Sequence, residues 1–346
     1  MHARYAHIHS LVAAWLMVTA VTWLAPAQAS AQVLVKMATL VPEGSSWHLV
    51  LKEVADKWNK ISGGKVKVNL YAGGTAGDDP DVVRKMRLGT LNAGVLTSVG
   101  LAEIDKSVYA LSIPMAFTDY EEAYYVIDKM RPRLEANMEA KGFIVLNWAD
   151  GGWVHFFATT PVAAPADLKK VKLFQWAGDP KSLEIWKAAG FNPVPLPSTE
   201  LATALKTGLV EAFSMPPQVA VITGYYKDAL NMTDLNWALL LGATVINKAT
   251  WEKIPADLRP ALLEAARDAG KKLQSEIRQN GTADVESMKK RGLKVAPVDA
   301  KTLDLWRTTA ESTYGGIRGG FVPAEAFDEA LKYRDEYRKQ QPAPKK

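Results

Sequence analysis

"QVLVKMATLVPEGSSWHLVLKEVADKWNKISGGKVKVNLYAGG", residues 32–74, changes its hydrophobic period twice. Residues 32–41 alternate apolar and polar side chains, the two-residue period of a strand. Ser45 or Ser46 then offers an N-cap, and apolar residues recur at i, i+3 and i+4 until a double glycine at 63–64 stops the helix. From Lys65 the alternation returns, so a second strand is expected over 65–74. "DDPDVVRKMRLGTL" (78–91) continues as a short helix with acidic residues at its positive end. "NAGVLTSVG" (92–100) reads as a third strand, small and apolar. The order β-α-β-α-β implies parallel strands joined by right-handed crossovers.

Working outward, the same grammar repeats. A Pro-broken apolar segment precedes a long amphipathic helix within 109–142, and "FIVLNWADGGWVHFFATTPV" (143–162) holds two strands about an Asp-Gly-Gly bend. "VKLFQWAGDP" (171–180) is a strand that stops at Gly-Asp-Pro, and "STELATALKTGLV" (198–210) is a helix with Ser198 as its cap. Strands follow within 231–248, then a long helical region over about 251–291 and two terminal helices. The last, "EAFDEALKYRDEYRK" (325–339), reads as a solvated helix. Two α/β units emerge, with the chain passing between them more than once.

Composition narrows the function. The 346 residues are 48% hydrophobic, enough for a sizeable core. Residues 1–31 carry an apolar run at 11–25 followed by "PAQASAQ", which reads as a secretory signal peptide cut after Ala31 or Ala29. The chain has no cysteine, which excludes disulfides, thiolate metal sites and cysteine nucleophiles. Of five histidines only His48 and His155 lie beyond the leader, too few and too scattered for a zinc site. The formal charge of +5 is spread along the chain, with no basic stripe for nucleic acid. G-x-S-x-G, G-x-G-x-x-G, P-loop and H-E-x-x-H motifs are absent. The "DDPD" run (78–81) lacks the following Gly and Glu of a calcium loop and reads as a helix start. No catalytic residue, cofactor or metal is expected.

Five stretches, "YAGGTAGDDPDVVRKMRLGTL" (71–91), "LSIPMAF" (111–117), "PADLKKVKLF" (165–174), "AAGFNPVPLPSTELATALKTGLVEA" (188–212) and "NKATWEKIPADLRPALLEAARDA" (247–269), occur in one order across the chain. Together they resemble the extracytoplasmic solute-binding subunits of tripartite ATP-independent periplasmic (TRAP) transporters, of the C4-dicarboxylate-binding DctP type. The resemblance implies an α/β, bilobal Venus-flytrap fold: two parallel or mixed sheets flanked by helices, crossing hinge strands, and long helices bridging the lobes. By analogy residues 33–155 plus 245–285 form lobe I, 156–244 plus 286–320 form lobe II, and 321–346 form a C-terminal helix and tail. It also implies a periplasmic location, a small ligand held between the lobes, and delivery to membrane subunits driven by an ion gradient.

The chain departs from the family where the ligand is clamped. The family's usual arginine, whose planar fork matches a carboxylate, aligns with Phe174. A second arginine aligns with Val154, and an acidic-Asn-Pro run is replaced by Ser214, Met215 and Pro216. An apolar or neutral ligand is therefore expected, because a buried carboxylate without a partner is costly. Candidate ligand contacts are Phe174, Trp176, Trp153, Val154, Met215, Ser214, Phe156 and Phe117, with Thr97, Ser98, Trp47 and Ser46 as polar or amphipathic additions. Trp176 either faces the cleft or plugs the lobe, and of the neighbours Phe156 and Phe157 at least one belongs to the core. The alternatives are organic-acid binding with a compensating cation or arginine (Arg84 and Arg87, although their helix spacing reads as a solvated face), a non-transport carrier or sensor partner, and a periplasmic enzyme on the same scaffold.

Overall fold

The structure, a computed structural model, describes residues 32–177 and 180–341. The expected leader and the last five residues lie outside that range. Among the described residues no helix is long and apolar enough to cross a membrane.

The first sheet has the order β2-β1-β3-β10-β4, with β1 Val33–Thr39, β2 Val66–Tyr71, β3 Ala93–Thr97, β4 Phe143–Trp153 and β10 Leu239–Asn247. β1 pairs in parallel with β2 and β3, while β10 is antiparallel to both β3 and β4, so the sheet is mixed. The helix Ser46–Ile61 starts on Ser45, whose hydroxyl accepts the His48 N–H at 3.2 Å. It turns Val50, Leu51, Val54 and Trp58 inward. Trp58 is fully buried, and its indole N–H donates to the Leu262 carbonyl at 2.9 Å.

The second sheet has the order β11-β9-β5-β8-β6-β7: β5 His155–Ala158, β6 Lys172–Trp176, β7 Asn192–Leu196, β8 Ala212–Met215, β9 Asn231–Thr233 and β11 Lys294–Ala296. β7 carries Pro193 and Pro195, which an edge strand tolerates because no outer neighbour needs their missing N–H groups. The chain crosses between sheets at Val154, whose N–H donates to Ala238 (2.8 Å) and whose carbonyl accepts from Trp237 (2.9 Å). β4 runs through Gly151 and Gly152 to Trp153, so the break lies at Val154 and not in the Asp-Gly-Gly run.

The helix Arg259–Lys289 spans both lobes: Leu262, Ala265, Ala266 and Ala269 pack with the first-sheet cluster around Trp58, and Met288 with the second-sheet cluster around Phe213. Gly270 is needed there, since a Cβ would stand 3.0 Å from the Trp148 carbonyl of β4. The C-terminal helix Ala324–Gln340 buries Ala326, Phe327 and Ala330 in the first-lobe core, and Arg338 pairs with the buried Glu122. It is thus a packed helix and not a solvated one.

Candidate functional site

A cavity of about 280 Å³ lies between the two sheets. Its first-lobe wall is made by the ends of β1 and β3, the middle of β4 and β10, and Trp47 at the start of the Ser46–Ile61 helix. The second lobe contributes Trp176, Ser214 and Met215 at the ends of β6 and β8, with Val219, Ile222 and Tyr225 from the turn of helix after β8. Leu273 and Ile277 of the bridging helix close one side. The cavity thus sits at strand ends, where open α/β sheets place their ligands. Its wall is chiefly aliphatic and aromatic. Among the described residues it contains no lysine, arginine or histidine, and Asp150 is its one carboxylate.

Asp150 is nearly fully buried in β4. Its carboxylate accepts the Gly152 N–H at 2.9 Å and the Tyr124 hydroxyl. Burial pushes the Asp150 carboxyl above the usual carboxylate range, while the Tyr124 hydrogen bond and the Arg278 charge act the other way. Arg278 is itself engaged, with its guanidinium 4.7 Å and 4.8 Å from the ring centres of Tyr120 and Tyr124. It is not part of the wall. Nor is Arg84, which pairs with Asp81 on the surface, or Arg87, which donates to the Glu103 carbonyl.

Of the twelve candidate contacts, five line the cavity: Trp47, Thr97, Trp176, Ser214 and Met215. The Thr97 hydroxyl is already used, donating to Asp79 at 2.7 Å and accepting from Val99. Phe174 lies one strand repeat behind Trp176, packs in the second-lobe core, and lines a smaller cavity of about 100 Å³ that shares Trp176 and Ser214 with the main one. The other six are placed elsewhere. Phe156 is fully buried against Trp306 and Trp237, because β5 is an inner strand covered on both faces. Phe157, on the opposite face, is equally buried against Phe213. Trp153 packs on Tyr120, Val154 occupies the crossing, and Phe117 belongs to the first-lobe core. Ser98 is buried at the first turn of the helix Ser98–Ile104, and Ser46 is exposed on the helix that Ser45 caps. His155 is structural: it contacts the Thr233 carbonyl at 3.2 Å, and burial lowers its pKa.

Asp78 and Ser198 carry a role that their sequence readings did not include. Asp78 caps the helix Asp79–Arg87 as expected. Its carboxylate also accepts the Ser198 N–H (2.7 Å), the Ser198 hydroxyl (2.7 Å) and the Trp176 indole N–H (2.9 Å) from the second lobe. Ser198 therefore donates to Asp78 and is not the cap of its own helix, whose start has no side-chain cap. Tyr225, Ile222, Ile277 and the β10 residues were missed as wall residues because apolar positions at helical or strand spacing look the same in a core as in a cavity.

A family model for bacterial extracellular solute-binding proteins, family 7 (DctP), matches residues 37–317. The 2,3-diketo-L-gulonate-binding periplasmic protein YiaO of Escherichia coli is 28% identical over 254 residues, 72% of this chain and 76% of that protein. The C4-dicarboxylate-binding periplasmic protein DctP of Rhodobacter capsulatus is 26% identical over 75% of each chain. Among solved structures, the sugar-acid-binding protein DctPAm of Advenella mimigardefordensis in complex with galactonate matches at a TM-score of 0.82 and 20% identity, over 88% of this chain and 99% of that one. A TRAP periplasmic solute-binding protein of Ralstonia eutropha with bound (S)-2-acetolactate matches at 0.81 and 21% over the same shares.

Proposed function

The chain belongs to the bacterial extracellular solute-binding proteins of family 7, periplasmic binding subunits of TRAP transporters, and from that premise we propose that its solute is a neutral, largely apolar small molecule. The carrying observation is the charge of the wall: among the described residues, no cationic side chain and one buried carboxylate. An organic acid placed there meets Asp150 and no cationic side chain in the wall, Arg278 lying behind it and already shared with Asp150 and two tyrosine rings, and burying an unpaired carboxylate costs several kcal/mol, or orders of magnitude in affinity. A neutral molecule instead gains from the Trp47, Trp176, Tyr225 and Met215 surfaces at roughly 25 cal/mol per Å² buried. The ligand contacts assigned are those residues together with Ser214, whose hydroxyl supplies a polar anchor. The bound solute then passes to membrane subunits, as for the family.

Two measurements test this. Protein purified from its own periplasm is examined by native mass spectrometry, denatured and extracted; a neutral, apolar compound at one per chain is the expected release. In a thermal-shift panel, succinate and galactonate at millimolar concentration leave the midpoint unmoved, whereas the extracted compound at 100 times its Kd stabilises by about 2.7 kcal/mol. Stoichiometric release of a small carboxylate would overturn the reading and restore the organic acids bound by the structural relatives.

A further inference from the structure

We propose that Asp78 is the clasp of the two lobes: a first-lobe carboxylate that fastens the second lobe over the cavity by fixing Trp176 and Ser198, whatever solute lies inside. Asp78 is 5% exposed, yet three of the four donors to its oxygens come from residues about a hundred positions away. The fourth is the Asp79 N–H of its own helix cap. The two residues it holds are themselves parts of the cavity wall, and Asp78 is not. Fixing the Trp176 indole N–H sets the edge of that ring, so Asp78 is a positioning residue acting through Trp176.

Beside the clasp the lobes meet closely. Gly74, at φ +73°, has no room for a side chain: a Cβ would lie 2.9 Å from Thr199 Cγ2, the residue after Ser198. The backbone of the 73–74 turn and the Ser198–Thr199 segment therefore abut at the cavity rim. Capping requires one aspartate oxygen. The second oxygen of Asp78 is spent wholly across the cleft, on Trp176 and on the Ser198 N–H. Separating the lobes exposes all of these groups to water, so the bonds count toward closure and little toward the folding of either lobe. Hydrogen bonds to a charged acceptor are stronger than neutral ones.

The clasp is independent of ligand chemistry and is tested without ligand. The absence of cysteine allows two nitroxide labels to be placed cleanly. Leu88→Cys, after the Asp79–Arg87 helix, and Leu209→Cys, before β8, are exposed positions on opposite lobes. Pulsed electron–electron resonance on this doubly labelled full-length protein gives the inter-lobe distance distribution. Asp78→Ser keeps a good helix cap and loses the second oxygen. The thermal midpoint is expected to hold, while the ratio of short to long inter-lobe distances falls about tenfold or more. Trp176→Phe, which touches no cap, lowers the same ratio a few-fold. In an Asp78→Ser/Trp176→Phe protein the second change adds less than it does alone. Unchanged distance distributions in both single variants overturn the clasp. Should Asp78→Ser unfold, Trp176→Phe decides by itself: a lower ratio supports the clasp and an unchanged one overturns it.

Discussion

Phe156→Ala is expected to destabilise the protein by about 3–5 kcal/mol and to change the cavity not at all. The side chain is fully buried. Its ring stacks on Trp306 at 5.3 Å and 17°, and meets Trp237 at 5.2 Å and 56°. Trp186 extends the nest from the far side, 5.8 Å from Trp237. The Trp306 N–H donates to the Ala163 carbonyl at 2.8 Å, so that indole has its polar group satisfied and is held in place. Truncation leaves a void between two indoles that collapse poorly, because Trp306 is held by its hydrogen bond to Ala163 and Trp237 is packed between Trp306 and Trp186. The loss includes ring–ring geometry as well as transfer from water. Urea unfolding followed by tryptophan fluorescence and by far-ultraviolet dichroism checks it, since two probes are needed where two lobes unfold. A variant with the same urea midpoint as wild type would show that β5 is not the packed centre of the second lobe.

The same residue shows where sequence reading stops. The strand at 155–158 was legible, and so was the opposition of Phe156 and Phe157 across it. Sheet position was not. β5 sits between β8 and β9, and segments far along the chain cover both of its faces: Trp237 and Trp306 on the Phe156 side, Leu201 and Tyr226 in the cluster on the Phe157 side. Both rings are therefore core. By the same measure the β-α-β-α-β start and the helix capped by Ser45 were readable, since each depends on neighbours within a few residues. β10 was harder: its antiparallel place between β3 and β4 is decided by contacts about 150 and about 100 residues away.

For the site, the sequence supplied the ends of β6 and β8 because the strand itself runs out there; Trp176, Ser214 and Met215 all reach the cavity. Phe174 shares a face with Trp176 but sits two residues earlier, which is enough to move it from the cavity wall into the core behind. Asp78 illustrates the other limit. Two adjacent aspartates at a helix start look redundant, and helix capping accounts for one. The use of the surplus oxygens is visible only when Ser198 and Trp176 arrive from the second lobe.

The second of that pair, Asp79, gives the largest pH effect expected. Its carboxyl is entirely buried. One oxygen accepts the Thr97 N–H (2.8 Å) and hydroxyl (2.7 Å), and the other has no partner. Burial outweighs the Thr97 bonds and the smaller pull of the Gly100 N–H, the adjacent Asp78 adds like charge, and the pKa is pushed up to about 7 from an ordinary 3.8. The sign follows from proton counting. Between about pH 4 and pH 7 the folded chain holds a proton at Asp79 that the unfolded chain has released. This contribution to stability is fully present below the unfolded value and is lost as pH rises through the folded one. At about 1.4 kcal/mol per unit, the loss across that window is on the order of a few kcal/mol. Asp150, raised in the same direction, adds to the slope. Asp79→Asn replaces the titrating group with a neutral one of equal size, so its unfolding free energy should fall less steeply from pH 5 to pH 8 than that of wild type. A constant offset between the two proteins is expected as well, since the amide leaves its own N–H groups unpaired, but an offset does not change the slope. Parallel stability profiles in urea at the two pH values would mean that Asp79 is charged in the folded protein throughout, and that the unpaired oxygen is reached by water.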